Sequence, residues 1–143
     1  MSTAETKLDK IYTKYKELKE RADIDCKFDR SQIENSFDTT TKKIWWINQK
    51  TEWQKVFREF ERQRKDQYRN TYEFYYRDFP MKLNSKEEYQ LYIESDPAYI
   101  NIYTICQVVK EIISYIDSVL DTLKDRAWEI RNAIEYQKFI NGV

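Results

Sequence analysis

Five cations, Lys55, Arg58, Arg62, Lys65 and Arg69, follow one another at spacings of 3, 4, 3 and 4 residues, which winds them onto one face of a helix. On neighbouring turns such residues stand about 5–6 Å apart, a spacing that suits the phosphates of a polyanion backbone. Tyr68 and Tyr72 flank the row. Rings beside cations supply what single-stranded nucleic acid needs, stacking for bases and charge for phosphates. Glu52, Glu59, Asp66 and Glu73 recur every seven residues, so the opposite charges are sorted onto a different strip. The competing reading is a salt-bridge strip that meets an acidic neighbour, with the tyrosines in the core, and pattern alone weights the two equally. No other constellation of chemical interest emerges. There is no His, no Gly-rich phosphate loop and no Ser or Cys nucleophile with a base beside it, and the carboxylates are spread rather than paired. Cys26 and Cys106 lie far apart without a CxxC pattern, which suits idle thiols better than a metal or redox site. The expectation is a non-enzyme without cofactor or metal.

The elements that must position the stripe follow from composition. In 143 residues there are 1 Gly and 2 Pro, too few for the tight turns of a sheet protein, so the expected class is all-α with a few long helices. With 41% hydrophobic and 16% aromatic residues, the chain has the apolar area to order itself. The longest run without a charge, Pro97 to Val109, has 13 residues, too few to cross a bilayer. The first residues carry neither a basic nor an apolar leader pattern, and the expectation is a soluble intracellular protein.

Charge balance is total, 25 basic against 25 acidic residues, but it averages opposed blocks. Residues 42–77 hold 10 basic and 5 acidic residues, and residues 78–125 hold 4 and 9. Such blocks can pair with each other, or one of them can face a charged partner.

Near the start, Leu8, Ile11, Tyr15 and Leu18 form one narrow helical stripe over about Thr3 to Ala22. Ser31 and Glu34 read as a capping box, after which Ile33, Phe37, Ile44 and Ile47 continue a stripe. A second stripe of Trp46, Trp53, Phe57, Phe60, Tyr68, Tyr72 and Tyr75 lies nearly opposite, so this helix should kink near residues 45–52 or be covered on both sides. Pro80 marks a break around Asp78 to Asn84. Ser85 to Glu88 is another capping box, and Ser95-Asp96-Pro97 is the clearest helix start, an acidic N-cap before proline. Nothing stops that helix before Asn141-Gly142, giving a helix of about 44 residues, roughly 66 Å long. Three regions are expected: an N-terminal helical segment over 1–30, a basic aromatic region over 31–84 and an assembly region over 85–143.

Within the last helix, Ile102, Ile105, Val109, Ile112, Ile116, Val119 and Leu123 alternate spacings of 3 and 4, the a/d seam of a coiled coil. A heptad row of Tyr99, Cys106, Ile113, Leu120, Ala127 and Ile134 runs beside it, widening the apolar stripe. An intrachain bundle could cover the seam. The length of the helix and the β-branched residues at a and d favour a homo-oligomer of more than two strands, a ring or helical barrel, with Ile113 and Leu120 joining the seam in the contact.

Several of these features resemble one family. They are Trp46-Ile47-Asn48, the Tyr-rich end of the basic helix and the Ser-Asp-Pro start, and above all Leu120-Asp121, Lys124, Arg126, Trp128, Ile130-Arg131, Phe139 and Gly142. Over roughly Phe28 to Gly142 the chain is similar to the UvsY recombination mediators of T-even-like phages. The resemblance implies a protein that binds single-stranded DNA as a hexameric or heptameric ring in the cytoplasm of the infected host cell. It also implies that such a protein helps a RecA-like phage recombinase displace single-strand-binding protein. The family's Leu-Lys-Ala-Arg motif, tied to DNA binding, falls on Tyr68-Arg69-Asn70-Thr71, where only Arg69 matches a basic position. Arg62, Lys65 or Arg77 would have to stand in for the second. The reading of another class is a coiled-coil adaptor with no nucleic-acid partner. A binder of double-stranded DNA or RNA has no helix-turn-helix or RNP-like pattern behind it.

Overall fold

The computed structural model describes residues 3–27 and 38–142, which form four helices: α1 (Thr3–Asp25), α2 (Thr39–Arg77), α3 (Lys86–Glu94) and α4 (Pro97–Ile140). Among the described residues there is no strand, and no helix is long and apolar enough to cross a membrane. The capping box at Ser31 and the stripe residues Ile33 and Phe37 lie outside the described residues.

The predicted helix signals act as their chemistry requires. The Ser85 hydroxyl accepts the Glu88 N–H at 3.2 Å, and the Glu88 carboxylate reaches back to the Asn84 N–H at 2.7 Å, so the capping box of α3 closes one residue further out than usual. Asp96 accepts the Ala98 N–H at 3.0 Å, placing a carboxylate on the positive end of α4. That helix runs for 44 residues. It stops where Gly142 takes a φ of 68°, in the left-handed region open to glycine.

Two compact units divide the chain: Met1–Thr13 with Gln54–Glu111, and Lys14–Trp53 with Ile112–Val143. In the second unit, Leu18 and Ala22 of α1, Trp46 and Trp53 of α2, and Ile112, Ile116, Val119, Leu123 and Ile130 of α4 are buried. The Trp46 indole N–H donates to Asp25 Oδ2 at 2.9 Å, and Arg21 Nε donates to the same oxygen at 3.2 Å. Arg126, also buried, donates from Nη1 to the Asp25 carbonyl, so a cation caps the carbonyl end of α1. Around this knot, Arg21 lies over the Trp45 ring at 3.5 Å, and Tyr15 meets Tyr115 edge-on at 5.6 Å. Lys50 pairs with Asp117 at 2.7 Å.

In the first unit the buried residues are Ile11, Thr71, Leu83, Ile93, Tyr99, Ile105, Cys106, Val108 and Val109. Of these, Leu83 comes from the loop after Pro80 and not from a helix. The Tyr75 hydroxyl donates to Asp96 Oδ2 at 2.9 Å, so one carboxylate both caps α4 and holds the end of α2. Burial pushes the Cys106 thiol up to about 11, which keeps it protonated and inert.

Two expectations change. Within α2, Trp46 and Trp53 are buried while Ile44 and Ile47 are about half exposed. One uninterrupted helix therefore turns its tryptophan stripe inward, because the indoles bury more apolar area than the isoleucines, and leaves the other stripe outside. The a/d seam of α4 also differs from expectation. Ile105, Val109, Ile112, Ile116, Val119 and Leu123 are all at most 4% exposed in the isolated chain, so one chain does cover this seam. The premise that the helix is too long for its own chain fails, since α1 and α2 are themselves 23 and 39 residues long. Ile102, Ile113 and Leu120 stay partly exposed.

Candidate nucleic-acid interface

The cation stripe lies within the first unit, on the part of α2 from Gln54 to Arg77. Lys55, Arg58, Arg62, Lys65 and Arg69 are all exposed, as one helical face requires when Phe60, Tyr68 and Thr71 turn toward the core side. Their electrostatic states differ. Arg62 is held by the Glu59 carboxylate at 2.7 Å and by Asp66 at 3.1 Å, and Arg69 stands 3.7 Å from Asp66. Hydrogen bonding from Arg62 draws the Glu59 carboxyl below the usual carboxylate range. The acidic strip is therefore not separate from the basic one. It adjoins it and engages two of the five cations, because residues three and four apart are neighbours on a helix. Lys55, Arg58 and Lys65 make no ion pair within the described residues and remain available to an external anion.

Arg64, one residue off the stripe, has a different task. It forms a two-point pair with Glu61, the closer contact 2.5 Å, and donates to the Tyr99 hydroxyl at 2.9 Å. One of its three guanidinium nitrogens, Nη1, is thus used in joining α2 to the start of α4. Only one ion pair within the described residues, Lys50 with Asp117, connects the basic 42–77 block to the acidic 78–125 block. Among the described residues, that acidic block pairs with none of the five stripe cations, and only Glu59 and Asp66 of α2 itself offset them.

The flanking tyrosines also part company. Tyr68 packs edge-on against Tyr99, with centroids 5.6 Å apart, and is half-buried. Tyr72 is 41% exposed and stacks on Tyr76 at 6.0 Å with an interplanar angle of 13°. Tyr76, 64% exposed, is the residue that sequence reasoning missed. The signal was present, because the spacing after Arg69 continues as 3 and 4 to Tyr72 and Tyr76.

Thr71, onto which the resemblance places the motif's second basic position, is only 5% exposed, and its hydroxyl accepts a hydrogen bond from Gln67 at 3.0 Å. A cation there would lose its hydration, which gives a physical reason for the departure at this position. The exposed cations of the stripe sit on the turns before it, and Arg77 is exposed after it.

If the stripe takes phosphate, Glu59 and Asp66 compete with it for Arg62 and Arg69, and the double substitution Glu59→Gln and Asp66→Asn is expected to tighten binding to oligo(dT) about fivefold at low salt, exposed pairs of this kind being weak and screened. Fluorescence anisotropy measures it, and an unchanged or weaker affinity contradicts the competition.

Comparison with known proteins gives three findings. A family model described as the recombination, repair and ssDNA binding protein UvsY matches residues 17–143. A crystal structure of the bacteriophage T4 recombination mediator protein UvsY, lattice type IV, superposes with a TM-score of 0.78 at 17% identity, covering 87% of this chain and 97% of that one. A second crystal form of the T4 protein, lattice type I, gives 0.79 at 19% identity, with 86% and 98% covered. The fold is shared at low identity. No curated protein matches by sequence.

Proposed function

The chain belongs to the UvsY family of recombination, repair and single-stranded-DNA-binding proteins, and from that membership we propose that it is a recombination mediator that acts by binding and not by catalysis. In this reading it holds single-stranded DNA, helps a RecA-like phage recombinase onto strand covered by single-strand-binding protein, and works in the cytoplasm of the infected host cell. The observation that carries it is the exposed stripe on α2, where Lys55, Arg58 and Lys65 have no ion-pair partner among the described residues and Arg62 and Arg69 continue the row.

Multivalency completes the mechanism. A few phosphate contacts per subunit bind weakly and without regard to sequence, while linked copies raise the effective concentration of every further contact. We propose a hexamer or heptamer that presents one stripe per subunit. The partly exposed Ile102, Ile113 and Leu120, together with the exposed Trp128, Tyr136, Phe139 and Ile140 of α4, are among the apolar residues left for such assembly once the rest of the a/d seam is spent on the chain's own core. Extended strand held on several stripes is then open to the recombinase and less accessible to the competing binding protein.

A salt titration tests this. Wild-type protein is expected to bind oligo(dT) with an affinity that falls steeply with salt. Changing Lys55, Arg58 and Lys65 together to Ala should reduce the slope by about 2 per engaged subunit, at about 0.7 for each phosphate that is no longer neutralised. No binding at low salt, or an unchanged slope in the triple variant, overturns the assignment. The adaptor reading predicts instead that the triple variant breaks the oligomer and that oligonucleotide has no effect, which light scattering resolves.

A further inference from the structure

Beyond Arg69 the stripe changes chemistry without changing direction. Tyr72 and Tyr76 occupy the next two positions on the same face, seven residues separating Arg69 from Tyr76, or about 10 Å along the axis. Their rings are already arranged. Tyr89 of α3 lies against Tyr72 at 5.1 Å with a tilt of 43°, and Tyr76 stacks on Tyr72 at 6.0 Å and 13°. Tyr72 therefore meets two rings. Tyr76 ends the pile, is 64% exposed, and makes no ring contact other than that with Tyr72 among the described residues.

We infer that Tyr76, backed by Tyr72 and Tyr89, is a stacking platform for a base of single-stranded nucleic acid whose phosphates lie on the adjoining cations. The inference rests on the nucleic-acid reading above and adds which ring touches a base. Three observations support it. First, the rings continue the face of Lys55, Arg58, Arg62, Lys65 and Arg69, so one bound segment of strand touches both. Second, the rings beneath Tyr76 are already in contact across two helices, Tyr72 of α2 with Tyr89 of α3, so part of the platform is formed before binding, which favours affinity. Third, the outer ring is open on one face, and every base can stack on it, giving contact without sequence preference. Tyr68, which pattern alone put beside the cations, is committed to Tyr99 and takes no part.

The experiment compares oligo(dT) with a base-free deoxyribose-phosphate chain of the same length, both followed by fluorescence anisotropy across salt. The Tyr76→Ala protein is expected to bind oligo(dT) about 10-fold more weakly, the range for removing one base–aromatic stack, with binding to the base-free chain and the salt slope unchanged. Tyr76→Phe should keep wild-type affinity for both, because the ring and not the hydroxyl is used. Thermal melting by circular dichroism checks that both variants fold as wild type does. Unchanged affinity of Tyr76→Ala for oligo(dT), or an equal weakening on both chains, overturns the platform while leaving the cation stripe standing. Failure of the wild-type protein to bind either chain removes the nucleic-acid reading itself, and the platform with it.

Discussion

Ile116→Asp is expected to unfold the chain rather than to release folded monomers from an assembly. Ile116 is fully buried within the single chain, in the second unit, among the other seam residues of α4. Removing its side chain costs about 2–5 kcal/mol. Leaving a carboxylate unpaired in that place adds several kcal/mol more, or forces the group to take up a proton. Set against a total stability of about 5–15 kcal/mol for a domain, the sum exceeds what this chain can lose. Far-UV circular dichroism at increasing dilution measures it. Loss of helical signal places the seam in the protomer's core, whereas a fully helical monomer would place it between subunits. Ile113→Asp is the companion variant. Ile113 is only partly buried, so its substitution should keep the helices while reducing the mass of the particle seen by light scattering.

Trp46→Ala is expected to lower stability by about 3–5 kcal/mol, the range for deleting a buried aromatic side chain. Trp46 is 0% exposed, and its indole N–H is one of two donors to Asp25 Oδ2. Substitution to Ala therefore opens a cavity and removes a hydrogen bond from a buried carboxylate that keeps only Arg21 among the described residues. Trp46→Phe separates the two effects. It retains much of the ring volume but not the donor, and a loss of about 1–3 kcal/mol, the cost of leaving a buried acceptor short of a partner, is expected. Urea unfolding supplies both numbers, and a shifted midpoint with an unchanged m-value identifies the change as one of native stability. A Trp46→Phe protein as stable as wild type would show that the hydrogen bond to Asp25 contributes nothing net.

How far the sequence could be read varies by feature. Helix ends were legible because their signals are local. The Ser85 capping box and the Asp96-Pro97 start each rest on a backbone group and a side chain within four residues of each other, and the Gly142 stop rests on the φ of one residue. The buried faces were legible only in part. The 3- and 4-residue spacing of α4 correctly marks a stripe that must be covered, but spacing is the same whether the cover is a neighbour's helix or the chain's own α1 and α2. In α2, two apolar stripes competed, and periodicity does not rank Trp46 and Trp53 above Ile44 and Ile47. The Asp25, Trp46 and Arg126 knot was not legible at all, because its members are up to 101 residues apart and no spacing rule links them to one another.

The cation stripe shows the same boundary at the functional site. Residue order alone placed Lys55, Arg58, Arg62, Lys65 and Arg69 on one face, since helical winding converts spacing directly into direction. It also determined that the chain is helical, because one glycine and two prolines in 143 residues leave no room for the turns of another class. Tertiary structure decided what faces what: that Thr71 and Tyr68 turn toward the core, that Tyr89 of α3 comes to rest on Tyr72, and that the a/d seam is consumed within the protomer. These contacts depend on shape and on which surfaces exclude the most water once the helices meet, a competition among distant residues that no local spacing encodes.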